Sequence, residues 1–219
     1  MRAADMPPTD MKPTDLPLFP LGAVLFPGGL LPLKVFEARY LDLVSTCLRE
    51  RRPFGVVALL GGREVRANEP ANREAVRFEP IGTLAELIDV DSAQQGILTV
   101  RCRGTQRFEL SASHQQADGL WIGAAQTLAD DDAMAPEPAL LESAHSLATA
   151  IAALKEQGVE PFLTPHRLDD AGWVANRWCE ILPIPHAAKQ RLMALPDPML
   201  RLRLVDDYLR SNGLVTQPG

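Results

Sequence analysis

Residues 16–40, LPLFPLGAVLFPGGLLPLKVFEARY, place Pro17, Pro20, Pro27 and Pro32 between runs of Leu, Val and Phe. Proline has no N–H for a sheet ladder, so these apolar runs predict short strands or edge pieces, not one long central strand. Phe26-Pro27-Gly28-Gly29 predicts a type II turn. Pro27 presets φ at its second position, and Gly28 supplies the positive φ its third position requires. The period changes at Phe36. Residues 37–52 read as a helix with Tyr40, Leu41, Val44, Cys47 and Leu48 on one apolar face, stopped by Pro53.

Outward from this stretch the chain continues as strands. Residues 54–60, FGVVALL, form a short β-branched run ended by Gly61-Gly62. Residues 63–79 mix Arg and Glu without a period and read as an exposed loop, with a short strand near residues 75–78. Residues 81–90 read as a strand and Gln95-Gly96 as a turn. In residues 97–103, Leu98, Val100 and Cys102 face one way, and Thr99, Arg101 and Arg103 the other. Gly104-Thr105 predicts a turn into a further strand at 107–110, and a last strand surrounds Trp121 and Ile122.

The composition changes at residue 129. Residues 129–138, ADDDAMAPEP, are acidic and proline-bearing and read as a linker. Beyond them Leu140, Ala144, Leu147, Ile151 and Leu154 follow the 4-3-4-3 spacing of a helix packed on a helix. Further helices are expected over residues 169–182, capped by Asp169-Asp170, over 186–195, and over 198–209 with Leu202, Leu204, Val205, Tyr208 and Leu209 buried. The fold class is α+β: a β-rich part over residues 15–128, a linker over 129–138 and a helical part over 139–212, after a disordered lead-in over 1–14. On a helical wheel Arg201 falls inside the last buried stripe. A buried guanidinium needs a partner, and Glu180 is the candidate for a structural ion pair; the alternative is an Arg201 that reaches solvent from the edge of the stripe.

The totals exclude several classes. The 219 residues contain no apolar run long enough to span a bilayer and no apolar signal core, so a cytoplasmic location without a membrane partner is expected. Cys47, Cys102 and Cys179 are scattered, without a CxxC pair, and read as reduced buried thiols. A net charge of −6 argues against nucleic acid as the main partner. The nucleotide-binding loop, GxSxG, HExxH and dinucleotide-binding glycine patterns are all missing. His166 and His186 flank one helix but make a poor metal pair, and Asp130-Asp131-Asp132 reads as a solvated charge run. No catalytic residue, metal or cofactor is expected.

One family accounts for the order of these motifs. Leu18-Phe19-Pro20-Leu21, Val24-Leu25-Phe26-Pro27-Gly28, Leu31-Pro32-Leu33 and Val35-Phe36-Glu37-Ala38-Arg39-Tyr40 resemble the N-terminal domain of the ATP-dependent Lon proteases. Ile81-Gly82-Thr83-Leu84-Ala85, Leu98-Thr99-Val100, Gly104 and Arg107-Phe108 resemble its later strands. Glu180-Ile181-Leu182-Pro183, Lys189-Gln190-Arg191-Leu192, Asp197-Pro198 and Arg201-Leu202 resemble its helical end. The resemblance implies a PUA-like pseudo-barrel followed by a helical bundle. It also implies a non-catalytic protein-interaction module that binds unfolded or apolar polypeptide. With no ATPase or protease motif in the sequence, a stand-alone Lon-domain protein is expected. The contacts expected to be exposed for a polypeptide partner are Phe26, Leu30, Leu31 and Trp121. The alternatives are an RNA-binding module using an outward strip of Arg101, Arg103 and Arg107, and, behind it, a cryptic hydrolase.

Overall fold

The computed structural model describes residues 14–61, 76–94 and 96–215. The expected lead-in lies outside these residues except for Thr14, and so do most of the 63–79 loop and Gln95 of the expected turn. Seven strands come first: β1 (Thr14–Leu21), β2 (Leu30–Val35), β3 (Phe54–Gly61), β4 (Arg77–Phe78), β5 (Ile81–Gln94), β6 (Ile97–Gln115) and β7 (Trp121–Thr127). Helix α1 (Ala38–Glu50) lies between β2 and β3. A 3-10 turn (Pro138–Leu140) then leads into α2 (Leu141–Glu156), α3 (Ala171–Ile181), α4 (His186–Ala194) and α5 (Pro198–Ser211). The fold is α+β, a β pseudo-barrel followed by helices.

The ring closes through β1. Its first half, residues 14–18, runs antiparallel to β7, and its second half, residues 18–21, runs parallel to β3. Only Leu18 is paired on both sides. Pro17 opposes Ile122 of β7, and Pro20 opposes Val57 of β3. Each proline therefore needs one ladder, not two, and the stagger lets a proline-bearing strand sit inside a closed ring. The order β1-β7-β6-β5-β3 returns to β1, while β2 adds to the side of β6 and β4 to the edge of β3.

The Phe26-Pro27-Gly28-Gly29 turn forms as its residues predict. Gly28 has φ +74°, and Gly29 N–H donates to Phe26 C=O at 2.9 Å. Its position explains Gly104. That residue does not turn the chain; β6 runs through it as one continuous strand. Gly28 N–H donates to Gly104 C=O at 2.8 Å, and Gly104 N–H donates to Gly29 C=O at 2.9 Å. A Cβ at residue 104 would collide with the Phe26 carbonyl oxygen. Glycine stands there because another backbone docks on the strand, which a sequence pattern reads as a break.

Among the described residues three apolar clusters form. Val35, Tyr40, Val44, Cys47, Phe54, Val100 and Cys102 join α1 to one face of the sheet. Leu16, Leu18, Val57, Phe108 and Ala125 form a small cluster on the opposite strand face, with Leu84, Leu110 and Trp121 packed at its edge. The helices share a third cluster built on Trp173, Trp178, Leu147, Leu202 and Leu209, and Phe26 belongs to it. The turn is thus a plug from the β part driven into the helical part. Asp170 caps α3 by accepting from Gly172 and Trp173 N–H. Leu48 and Leu204, expected on apolar faces, are exposed. The buried stripe of α1 runs Tyr40, Leu43, Val44, Cys47, and that of α5 runs Arg201, Leu202, Val205, Leu209, leaving both leucines outside it.

Candidate functional site

The expected polypeptide contacts do not form one surface. Phe26 is 0% exposed, so its expected exposure is wrong: the turn carries it into the helical core. Leu30 and Leu31 are neighbours on β2 and therefore point to opposite faces. Leu31 pairs with Cys102 and packs on the cluster under α1, whereas Leu30 pairs with Arg103 on the outer face. Trp121 is half-buried and meets Phe78 edge-on at 5.3 Å, against the small cluster.

The basic strip also divides. Arg101 and Arg103 are exposed on β6, but Arg107 is buried and belongs to no outward strip. Its guanidinium donates to Asp131 Oδ1 at 2.6 Å and to the Leu195 carbonyl at 2.5 Å. The segment after β7 and the end of α4 cover that part of the strand. Arg201 is buried as the helical wheel indicates, but its partner is not Glu180. It donates to Asp131 Oδ2 at 2.6 Å and to Asn176 Oδ1 at 3.1 Å. One carboxylate, expected to be solvated, thus holds two arginines from the two parts of the fold.

Glu180 is engaged by Arg177, one turn earlier on α3, at 2.8 Å. Arg177 has no exposed side chain and also donates to the carbonyls of Gly28 at 2.5 Å and Pro27 at 2.8 Å. Burial pushes the Glu180 carboxyl up to about 7, against the pull of Arg177 and Lys189. Burial likewise raises the Cys102 and Cys179 thiols to about 12, so neither is a thiolate at neutral pH. Among the described residues, no group of three or more His, Cys, Asp or Glu comes together as a metal site. No helix among them is long and apolar enough to cross a membrane.

The exposed apolar residues that do share a surface lie on the outer face of β2, β6 and β5. Register sets the rows: Leu30, Arg103 and Glu86; Pro32, Arg101 and Asp89; Lys34, Thr99 and Asp91. A bulge between Leu87 and Asp89 pushes out Ile88, which is 48% exposed, and Phe36, one residue past β2, is 53% exposed. Among the described residues β2 pairs only with β6, so its other edge carries no strand. Pro32 and Lys34 sit on it, the residue types that discourage strand addition. Phe36 was legible in phase: with Leu31, Leu33 and Val35 turned inward, Leu30, Pro32, Lys34 and Phe36 turn outward. Ile88 was not, because a bulge breaks the alternation.

The described residues thus form a closed β pseudo-barrel plugged by its own turn into a helical bundle. Residues 15–211 match the model of the ATP-dependent protease La (LON) substrate-binding domain, and the chain belongs to that family. It is 29% identical over 190 residues to the Lon protease of Paraburkholderia phytofirmans, covering 84% of this chain and 22% of that protein. It is 30% identical over 117 residues to cereblon of Gallus gallus, covering 52% of this chain and 24% of that protein. The chain thus spans less than a quarter of these relatives' length. A solved Lon N-terminal domain protein from Xanthomonas campestris superposes with a TM-score of 0.67 at 33% identity, covering 89% of this chain and 98% of that one. The N-terminal domain of Mycobacterium avium complex Lon protease gives 0.62 at 17% identity, covering 89% and 97%, a likeness of fold.

Proposed function

We propose that this domain is a non-catalytic recognition module for unfolded or apolar polypeptide segments, and that it takes them on the outer face of β2, β6 and β5. The observation that carries this reading is the exposure of Phe36 and Ile88, each about half exposed, on one sheet face in a member of a substrate-binding family. Leu30 and Pro32 add apolar area on β2, in the rows of Glu86 and Asp89 that flank Ile88. Recognition runs through side chains. Strand addition at β2 is disfavoured, because Pro32 removes a donor and Lys34 would bring its charge against an incoming chain. The charges beside the apolar residues are mixed, with Lys34, Arg101 and Arg103 among Glu86, Asp89 and Asp91. Such a face favours no polyanion, and RNA loses its third arginine to the interior.

The test is titration with a reduced, carboxymethylated protein that cannot refold. The double variant Phe36→Ser, Ile88→Ser should weaken its binding by about tenfold, the loss of two partly buried apolar contacts. Leu204→Ser, on the exposed face of α5, should leave it unchanged. Equal binding by wild type and the double variant, with both folded, would remove the outer face from the account.

A further inference from the structure

We infer that the outer face of β2, β6 and β5 reads the spacing of two apolar side chains in a polypeptide, taking segments in which they stand about six residues apart. This rests on the reading of that face as the recognition surface. Its two half-exposed apolar side chains, Phe36 and Ile88, are not neighbours. Val35 pairs with Leu98, so Phe36, one residue on, stands level with Ile97 at the β2 margin. Ile88 stands on β5, in the bulge between the rows of Cys102 and Arg101. The two are thus four to five residues apart along β6 and two strand spacings apart across it. At roughly 3.3 Å per residue and 4.8 Å per strand, the diagonal between them is about 18 Å.

The floor between these anchors is polar. Thr99 and Arg101 are exposed on β6, with Lys34 on the β2 side and Asp89 and Asp91 on the β5 side. The two flanks carry opposite charge, so a strongly charged middle segment gains on one and loses on the other. Both margins oppose strand addition. Pro32 and Lys34 stand on β2, and the bulge with Glu86, Asp89 and Asp91 on β5, whose pairing with β3 ends at Ala85. The bound chain therefore crosses the face. A chain spans at most about 3.6 Å per residue, so apolar side chains three apart reach about 11 Å and touch one anchor only. Six residues suffice. In the polyproline II conformation common in unfolded chains, three residues per turn bring side chains six apart to the same side at about 19 Å.

Binding of this kind is bivalent: a linker too short forfeits the second contact, and a longer one dilutes it. Two capped peptides of equal composition test it on the full chain. Ser-Phe-Gly-Ser-Gly-Ser-Gly-Phe-Ser holds its phenylalanines six apart, and Ser-Phe-Gly-Ser-Phe-Gly-Ser-Gly-Ser holds them three apart. Amide shifts at Ile88, Thr99 and Arg101 are followed to millimolar peptide. The six-residue spacing should bind about fivefold more tightly, the gain from a tethered second contact. Phe36→Ser and Ile88→Ser should each erase that advantage, while the other peptide stays within about twofold of its wild-type affinity, having used one anchor at a time. Equal affinity of the two peptides for the wild type, with shifts on this face, overturns the spacing and leaves the recognition surface standing. An advantage that survives either single variant overturns the spacing too. Shifts with neither peptide overturn both.

Discussion

Arg103 and Arg107 lie four residues apart on β6, yet they meet different surroundings. Arg103 reaches Glu86 at 2.7 Å, with the two side chains 54% and 46% exposed. Arg107 reaches Asp131 at 2.6 Å, with side chains 4% and 16% exposed. Water screens the first pair, and it contributes little to stability. The second is a desolvated charge held by a network, and removing one member strands the others. The same strand thus offers an adaptable charged face at one end and a fixed joint at the other. The first can exchange partners; the second holds the sheet against the helices.

The largest effect should come from breaking the joint at its centre. Asp131→Ala leaves Arg107 and Arg201 buried without a carboxylate and should cost about 3–5 kcal/mol in urea unfolding. Asp132→Ala, exposed beside it, should change stability by less than about 0.5 kcal/mol. A small loss at Asp131 would mean the shared carboxylate is not the joint.

Next comes the docked turn. Gly104→Ala puts a methyl group against the Phe26 carbonyl and should cost about 1–3 kcal/mol, as overpacking against backbone does. If the variant melts like the wild type, the turn does not sit on β6 as described.

The Glu180 carboxyl sharpens the contrast through pH. Its folded value, about 7, lies above its ordinary 4.5, because burial outweighs Arg177 and Lys189. The folded state therefore holds this proton more tightly. Its contribution to stability is complete below about pH 4.5 and is lost as pH rises through about 7. Glu180→Gln should flatten the fall in urea midpoint between those limits. An unchanged slope would assign the pH dependence elsewhere.

The smallest effect belongs to the exposed pair. Arg103→Ala should shift stability by less than about 0.5 kcal/mol and lose even that in high salt.

The contrast also explains what could be read from residues alone. The proline-broken stretch and the helical spacings are local, and they gave the strands, the turn and the helices nearly in place. Arg201 was legible as buried because its helical phase is local too. Its partner was not: Asp131 lies in a segment with no period, 70 residues away. Glu180, on a helix, looked available, but Arg177 holds it. The same wheel applied to α3 places Arg177 among Trp173, Val174 and Ile181, so that second buried arginine was within reach of pattern alone. Phe26 misled because a turn normally points outward, and only the packing of the helices against it turns it in. Gly104 misled because docking and chain reversal ask for the same residue.

Hydrogen exchange in the presence of a permanently unfolded polypeptide tests the central claim most directly. The account predicts added protection at residues 30–36 and around the Ile88 bulge, with α5 unchanged. Protection confined to the helices, with the outer face of β2, β6 and β5 exchanging as in the free protein, would contradict it.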